Sequence, residues 1–184
     1  MLGFSKGKKY WLGVALIFVS GIAFSVTFNA ALEYTNTTEF CTSCHTMQIN
    51  LTELEETVHW KGRTCGHASC ADCHVPKEFF PKMKAKILAA KDVWHEIIGT
   101  IDTPEKYEAH RWDMASRVWE KMRATDSREC RNCHSYEHMD FSEQDRIAAR
   151  KHESATERGK TCIDCHTGIA HEEPEEPEEE TEGA

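Results

Sequence analysis

The sequence predicts a mainly α chain, with one N-terminal transmembrane helix followed by a small domain of short helices and loops. Three observations predict it. An uncharged apolar run stands near the N-terminus; two later segments repeat apolar residues at helical spacing while none alternates convincingly as a strand; and a remainder thin in aliphatics carries four copies of one Cys/His motif. A domain short of apolar side chains needs another organiser, such as disulfides, metals or a large apolar cofactor.

The apolar run extends from about Tyr10 to Phe28 and follows Lys6, Lys8 and Lys9. At the helical rise it spans about 29 Å, against a hydrocarbon core of about 30 Å. A cleaved signal peptide also begins with positive charge, but its apolar region is shorter and ends in a small-x-small site. Phe28-Asn29-Ala30-Ala31 offers no good site of that kind, so the reading is an uncleaved anchor. The lysines keep the N-terminus in the cytoplasm, and the bulk of the chain is exported. Gly21 and Ser25 form a small-xxx-small pair of the kind through which two anchors pack as a homodimer, although small residues are common in membrane helices generally.

The net charge of -9 belongs mainly to one end: the stretch from Glu172 to Ala184 holds eight glutamates and no basic residue. Such a Pro/Glu tail cannot bury a core and is expected to be disordered. The chain thus divides into a basic cytoplasmic end (1–9), a transmembrane anchor (10–30), a periplasmic domain (31–171) and an acidic tail (172–184). No nucleic-acid partner is expected.

The repeated motif reads Cys41-Thr-Ser-Cys44-His45, Cys70-Ala-Asp-Cys73-His74, Cys130-Arg-Asn-Cys133-His134 and Cys162-Ile-Asp-Cys165-His166. C-x-x-C-H is the attachment signal for c-type haem. Two thiols at that spacing reach the two vinyl groups on one porphyrin edge, and the adjacent histidine comes under the iron as proximal ligand. Zinc sites draw their remaining ligands from a second pair and need no histidine at the next position. A thioredoxin-like C-x-x-C stands alone in a βαβ pattern, which is absent here. Four motifs use eight of the nine cysteines, so four covalent haems are expected. Cys65 is left over and receives no role.

Seven further histidines remain: His59, His67, His95, His110, His138, His152 and His171. A second histidine gives a low-potential, closed haem, whereas methionine raises the potential. About half of the seven are expected to be plain surface imidazoles. Met47 stands two residues past His45 and offers a thioether to the first haem.

Pro81 to Ile98 reads as a helix, with Met83, Ile87, Ala90, Trp94 and Ile97 on one side, Lys82, Lys84, Lys86 and Lys91 opposite, and Gly99 as its stop. Its bland reading is a solvated basic face on a helix packed against haem; its sharper reading is an interfacial helix, basic toward lipid headgroups. Thr103 and Pro104 open a second helix to about Arg123, with Thr103 as N-cap. His110 lies just off the apolar face of that helix and is a runner-up haem ligand.

These residues together resemble the NapC/NirT family of membrane-anchored tetrahaem quinol dehydrogenases. The likeness runs from the anchor through His171. It is carried by the C-x-x-C-H-x-M stretch from Cys41 to Met47, by Cys73-His74-Val-Pro-Lys-Glu-Phe-Phe-Pro, by Gly99-Thr-Ile-Asp-Thr-Pro-Glu-Lys-Tyr and by Asp126-Ser-Arg-Glu-Cys130-Arg-Asn-Cys133-His134. It is strongest to the branch that serves periplasmic nitrate reductase. The glutamate-rich tail and the Cys65 insert depart from the pattern.

The resemblance implies that His59, His152 and His171 are distal ligands completing bis-histidine haems with His74, His134 and His166. It implies an open first haem with Met47 and Asp92 at the relevant places, and leaves open whether His45 or Met47 binds that iron. Lys86 and Asp92 match the lysine and aspartate of the family's quinol site, where one holds the quinol oxygen and the other takes a proton. Menaquinol or ubiquinol is the implied substrate. The implied partners are membrane lipid, the quinol pool and a soluble periplasmic reductase or its small cytochrome subunit, in the inner membrane of a bacterium respiring anaerobically. Two other functions compete. A passive anchored relay needs no quinol site. A terminal oxyanion reductase calls for a substrate pocket and often a C-x-x-C-K motif, which does not occur here.

Overall fold

The computed structural model describes residues 6–62 and 66–177. Cys65 and the end of the acidic tail, positions 178–184, lie outside the described residues. Among the described residues the chain is mainly α, with no strand.

The first helix, α1 (Lys6–Tyr34), contains the apolar run and continues past it. It has the length and composition of a membrane-spanning helix, and none of that stretch is buried by the rest of the chain. Thr35, Asn36 and Thr37 alone separate it from α2 (Thr38–Cys41), which Thr37 caps by accepting a hydrogen bond from the Phe40 N–H at 3.1 Å. Tyr34 meets Phe40 edge-on at 5.5 Å, so the end of α1 is packed onto the helix that ends at the first motif cysteine.

A 3₁₀ turn from His45 to Met47 leads into α3 (Gln48–Glu56), followed by the single turn α4 (Val58–Lys61) and by α5 (Cys70–His74). The long helix α6 (Phe79–Ile97) begins two residues earlier than the sequence suggests. Pro81 falls in its first turn, where backbone N–H groups have no intrahelical acceptor, so a proline costs no hydrogen bond there. Gly99, at φ +77°, closes the helix: Thr100 N–H bonds His95 O and Gly99 N–H bonds Glu96 O, a Schellman ending that needs a left-handed residue.

Thr103 caps α7 (Pro104–Ala124), with Pro104 at the first position, as expected. Trp112 and Trp119 meet edge-on at 5.6 Å along its apolar face. Asp126 and Ser127 follow with positive φ and turn the chain into α8 (Arg128–Arg131). The last elements are α9 (Arg146–Glu157) and a 3₁₀ turn from Cys162 to Asp164.

The buried apolar set is very small: Leu54, Tyr107, Met122 and Ile163 among the described residues. Polar ties over long sequence distances hold the domain instead. Thr46, 1% exposed, donates to Glu96 Oε2 at 2.9 Å and joins the first motif to α6. Tyr107 donates to Asn50 Oδ1 at 2.8 Å, and Ser127 Oγ accepts from the Ile163 N–H at 3.1 Å.

Candidate haem and quinol sites

The first cysteine of each C-x-x-C-H lies on a short helical element, and two of the four share one device. Ser69 and Thr161 stand just before the first cysteine of their motifs, and Asp72 and Asp164 stand between the cysteines. Each pair forms a reciprocal capping box, the hydroxyl accepting from the aspartate N–H and the carboxylate accepting from the cap residue's N–H. Both carboxyls sit below the usual range. Ser69 side-chain hydrogen bonding is the main cause at Asp72, and the Thr161 N–H the main cause at Asp164.

The motifs follow one another in space as they do in sequence. The Cys41 thiol shares a hydrogen bond with Cys70; this raises Cys41 and lowers Cys70 to about 6. Cys73 lies within electrostatic reach of Cys130 and Cys133, and Cys130 of Cys162.

An iron bound by imidazole on both faces, at about 2.0–2.1 Å per metal–nitrogen bond, puts the two ring centres about 6 Å apart. Three histidine pairs stand at that separation. His74 and His171 are 6.1 Å apart with planes inclined by 32°, His59 and His134 are 6.2 Å apart and nearly perpendicular, and His152 and His166 are 6.0 Å apart at 28°. Each pair joins one motif histidine to one of the three histidines named from the resemblance, so the residues present fit haem c. No second imidazole faces His45 among the described residues; the neighbouring Met47 sulfur accepts a long contact from Asn50 Nδ2 at 3.8 Å.

The pairs are supported by groups that sequence reasoning missed. His152 lies inside α9, and its Nδ1 meets Gln144 Oε1 at 2.7 Å, which leaves Nε2 for a metal. His171 comes from a stretch with no helix of its own and is held by a clamp. Arg111 Nη2 donates to Glu53 Oε2 at 2.6 Å and to the Glu172 carbonyl at 2.9 Å, while Glu53 Oε2 accepts the Glu172 N–H at 3.0 Å. Both backbone groups next to His171 are thereby fixed by one ion pair that is largely shielded from water. Burial lowers the His171 imidazole, against the opposing pull of Glu53. The surrounding chain also pushes His74 down to about 4 by desolvation, although the residue as a whole is exposed to solvent. Both shifts favour the neutral imidazole, the form that binds a metal.

Three other histidines are tied up locally: His110 Nδ1 bonds Lys106 O at 2.8 Å, His95 Nδ1 lies 3.3 Å from Thr100 Oγ1, and His67 Nδ1 meets Trp60 O. His110 is exposed and faces no motif histidine.

The NapC/NirT cytochrome c family model, N-terminal region, matches residues 5–176. The chain belongs to the NapC/NirT cytochrome c family. Family membership makes it an electron-transfer cytochrome with covalently bound haem c. A protein of Allochromatium vinosum described as a tetraheme cytochrome-c type is 55% identical, over 95% of this chain and 96% of that protein. The denitrification system component NirT of Stutzerimonas stutzeri is 52% identical over 95% of this chain and 88% of its own length. The cytochrome c-type protein NapC of Haemophilus influenzae is 49% identical over 94% and 86%. No solved structure matches this NapC/NirT chain.

The two residues implied for quinol chemistry are both on α6 and are not in contact. Six positions along a helix set them about 120° apart. Lys86 is half-buried, and its Nζ donates to Thr35 O at 2.7 Å and to Thr35 Oγ1 at 2.8 Å, just past the end of α1. Burial lowers its ammonium below the ordinary lysine value, opposed by nearby Cys41. Asp92 is exposed to solvent.

Proposed function

We propose that this chain carries four haems c and is a quinol dehydrogenase of the bacterial inner membrane. It oxidises quinol at the periplasmic membrane surface and passes electrons to a soluble periplasmic reductase, with nitrate reductase the leading acceptor. The observation that carries the reading is the place of Lys86: within reach of the first motif's Cys41 and hydrogen-bonded to Thr35, where the spanning helix ends. A lipid-soluble donor meets the first motif there without leaving the membrane.

Each quinol gives up two electrons and two protons. Haem supplies a one-electron acceptor, so two haem reductions balance one quinol. An ammonium has three donors; Thr35 takes up to two, which leaves one for a quinol oxygen. Lys86 holds that oxygen and stabilises the anion that develops as a proton leaves. Asp92 accepts the proton and, being exposed, hands it to periplasmic water. His59, His152 and His171 would hold three haem irons together with His134, His166 and His74, and so supply closed one-electron carriers. The spatial order of the motifs gives electrons a path from the membrane end to the far end of the domain.

The test is quinol-driven haem reduction by the purified holoprotein in vesicles, followed by absorbance with menaquinol and ubiquinol analogues. Asp92→Asn should slow reduction by about 10²-fold or more, while dithionite still reduces every haem. Wild-type rates in that variant would remove Asp92 from the chemistry. A wild-type protein that neither quinol reduces would leave the passive relay.

A further inference from the structure

α6 carries an apolar stripe that the rest of the chain does not cover. At about 100° per residue, Phe79, Phe80, Met83, Ile87, Trp94 and Ile97 fall on one side. Phe80, Ile87 and Ile97 are 81%, 74% and 71% exposed. The side turned toward the domain is different: Glu96, which accepts the Thr46 hydrogen bond, lies about 150° from the middle of the stripe. The stripe therefore does not face the first motif. Lys82 and Lys86 border one edge of it and Lys84 and Lys91 the other, so these lysines flank the stripe and do not lie opposite it as the sequence suggests. Contiguous apolar surface of this kind marks a contact with another phase or molecule.

Two observations identify the occupant. Lys86, on the edge of the stripe, is hydrogen-bonded through both Thr35 oxygens to the residue immediately after α1, so α6 is fastened where the spanning helix leaves the bilayer. An apolar stripe with lysines along both margins is also the pattern of a helix lying in the plane of an anionic lipid surface. We propose that α6 is a second membrane contact. It lies flat in the interface of the same bilayer that α1 crosses, its stripe at the boundary of headgroups and acyl chains and its lysines on anionic headgroups. The domain is then held at two points and cannot swivel about α1, so the first motif keeps one height above the membrane. The proposal rests on α1 as the anchor and requires no quinol chemistry.

The test uses full-length holoprotein in vesicles of phosphatidylethanolamine and phosphatidylglycerol containing a phospholipid with a photoreactive diazirine on its acyl chain. After illumination, adducts are mapped by peptide mass. Adducts are expected on α6 peptides carrying Phe80, Ile87 and Trp94 as well as on α1. Ile87→Glu with Trp94→Glu should lower α6 labelling severalfold, leaving α1 labelling and the haem spectrum unchanged. Adducts confined to α1, or an α6 shielded by a cross-linked second copy, would overturn the proposal. Quinol-driven haem reduction measured on the same vesicles fails or succeeds independently of the labelling pattern.

Discussion

Gln144 is where a single side chain sets the chemistry of a proposed ligand. With its Nδ1 hydrogen on Gln144, the His152 ring is fixed in both tautomer and direction. Gln144→Leu should leave the fourth haem low-spin but loosen the iron's sixth ligand by about 10–100-fold, the scale for lost outer-shell partners. Carbon monoxide binding by the reduced protein is the check: the three closed wild-type irons refuse it, and the variant should admit one equivalent more than the wild type. Arg111 acts at the same scale with a larger penalty. Arg111→Met leaves the Glu53 carboxylate shielded from water without its cation, a loss of about 3–5 kcal/mol for breaking a buried pair; the holoprotein's urea midpoint should fall accordingly. Removing both charges with Glu53→Gln should recover part of it. The candidate histidines could be named beforehand, because the motif fixes four and the family resemblance points to three more, and the fold sets six of them in pairs. Gln144, Glu53 and Arg111 were not. Glu53 and Arg111 stand 58 residues apart in the chain, and no local pattern announces that α3, α7 and the C-terminal stretch converge.

Helix ends decide whether the motifs are formed before a cofactor arrives. The capping boxes at Ser69–Asp72 and Thr161–Asp164 fit the Ser/Thr-x-x-acid signature and so were readable in the sequence, yet the cysteine pattern there draws the eye to haem chemistry alone. Ser69→Ala should cost about 0.5–2 kcal/mol, read from thermal unfolding of the holoprotein. The pH dependence has a definite sign. Both aspartates are depressed by hydrogen bonds made only in the fold, so their contribution is present above the ordinary carboxylate value near pH 4 and is lost as pH falls below it. Asp72→Asn with Asp164→Asn should flatten that acid limb of the stability curve. The left-handed turn at Asp126 and Ser127 was invisible beforehand, because neither residue is glycine and the position is held from outside. Ser127 is fully buried, and its hydroxyl accepts the Ile163 N–H. Ser127→Ala strands that buried N–H and should cost about 1–3 kcal/mol.

At the scale of the molecule, four buried apolar side chains among the described residues are far too few to hold a domain of this length together. The shortage of aliphatics was plain in the composition, and it is why the cofactor had to be structural as well as redox-active. The intact mass of matured protein should exceed the polypeptide by four haems. Replacing Cys162 and Cys165 by alanine should remove one haem from that mass and leave the region around Ile163 open to proteolysis. A domain with an independent protein core would stay resistant, and that outcome would contradict the organisation described here.

The proposed partnership of His74 with His171, whose rings stand 6.1 Å apart, also implies a timetable. On the proposed orientation the second motif is presented early, whereas the imidazole facing it follows all four motifs in the chain. His59 and His152 each precede the motif they face, so the third and fourth irons can be closed as soon as they are loaded. The second iron, loaded near the beginning, would wait for His171, which follows the last motif. Premature termination anywhere between Cys165 and His171 would therefore yield a nearly complete protein with a second open, ligand-hungry centre besides the first haem, and the clamp at Glu172 would be the last latch to close.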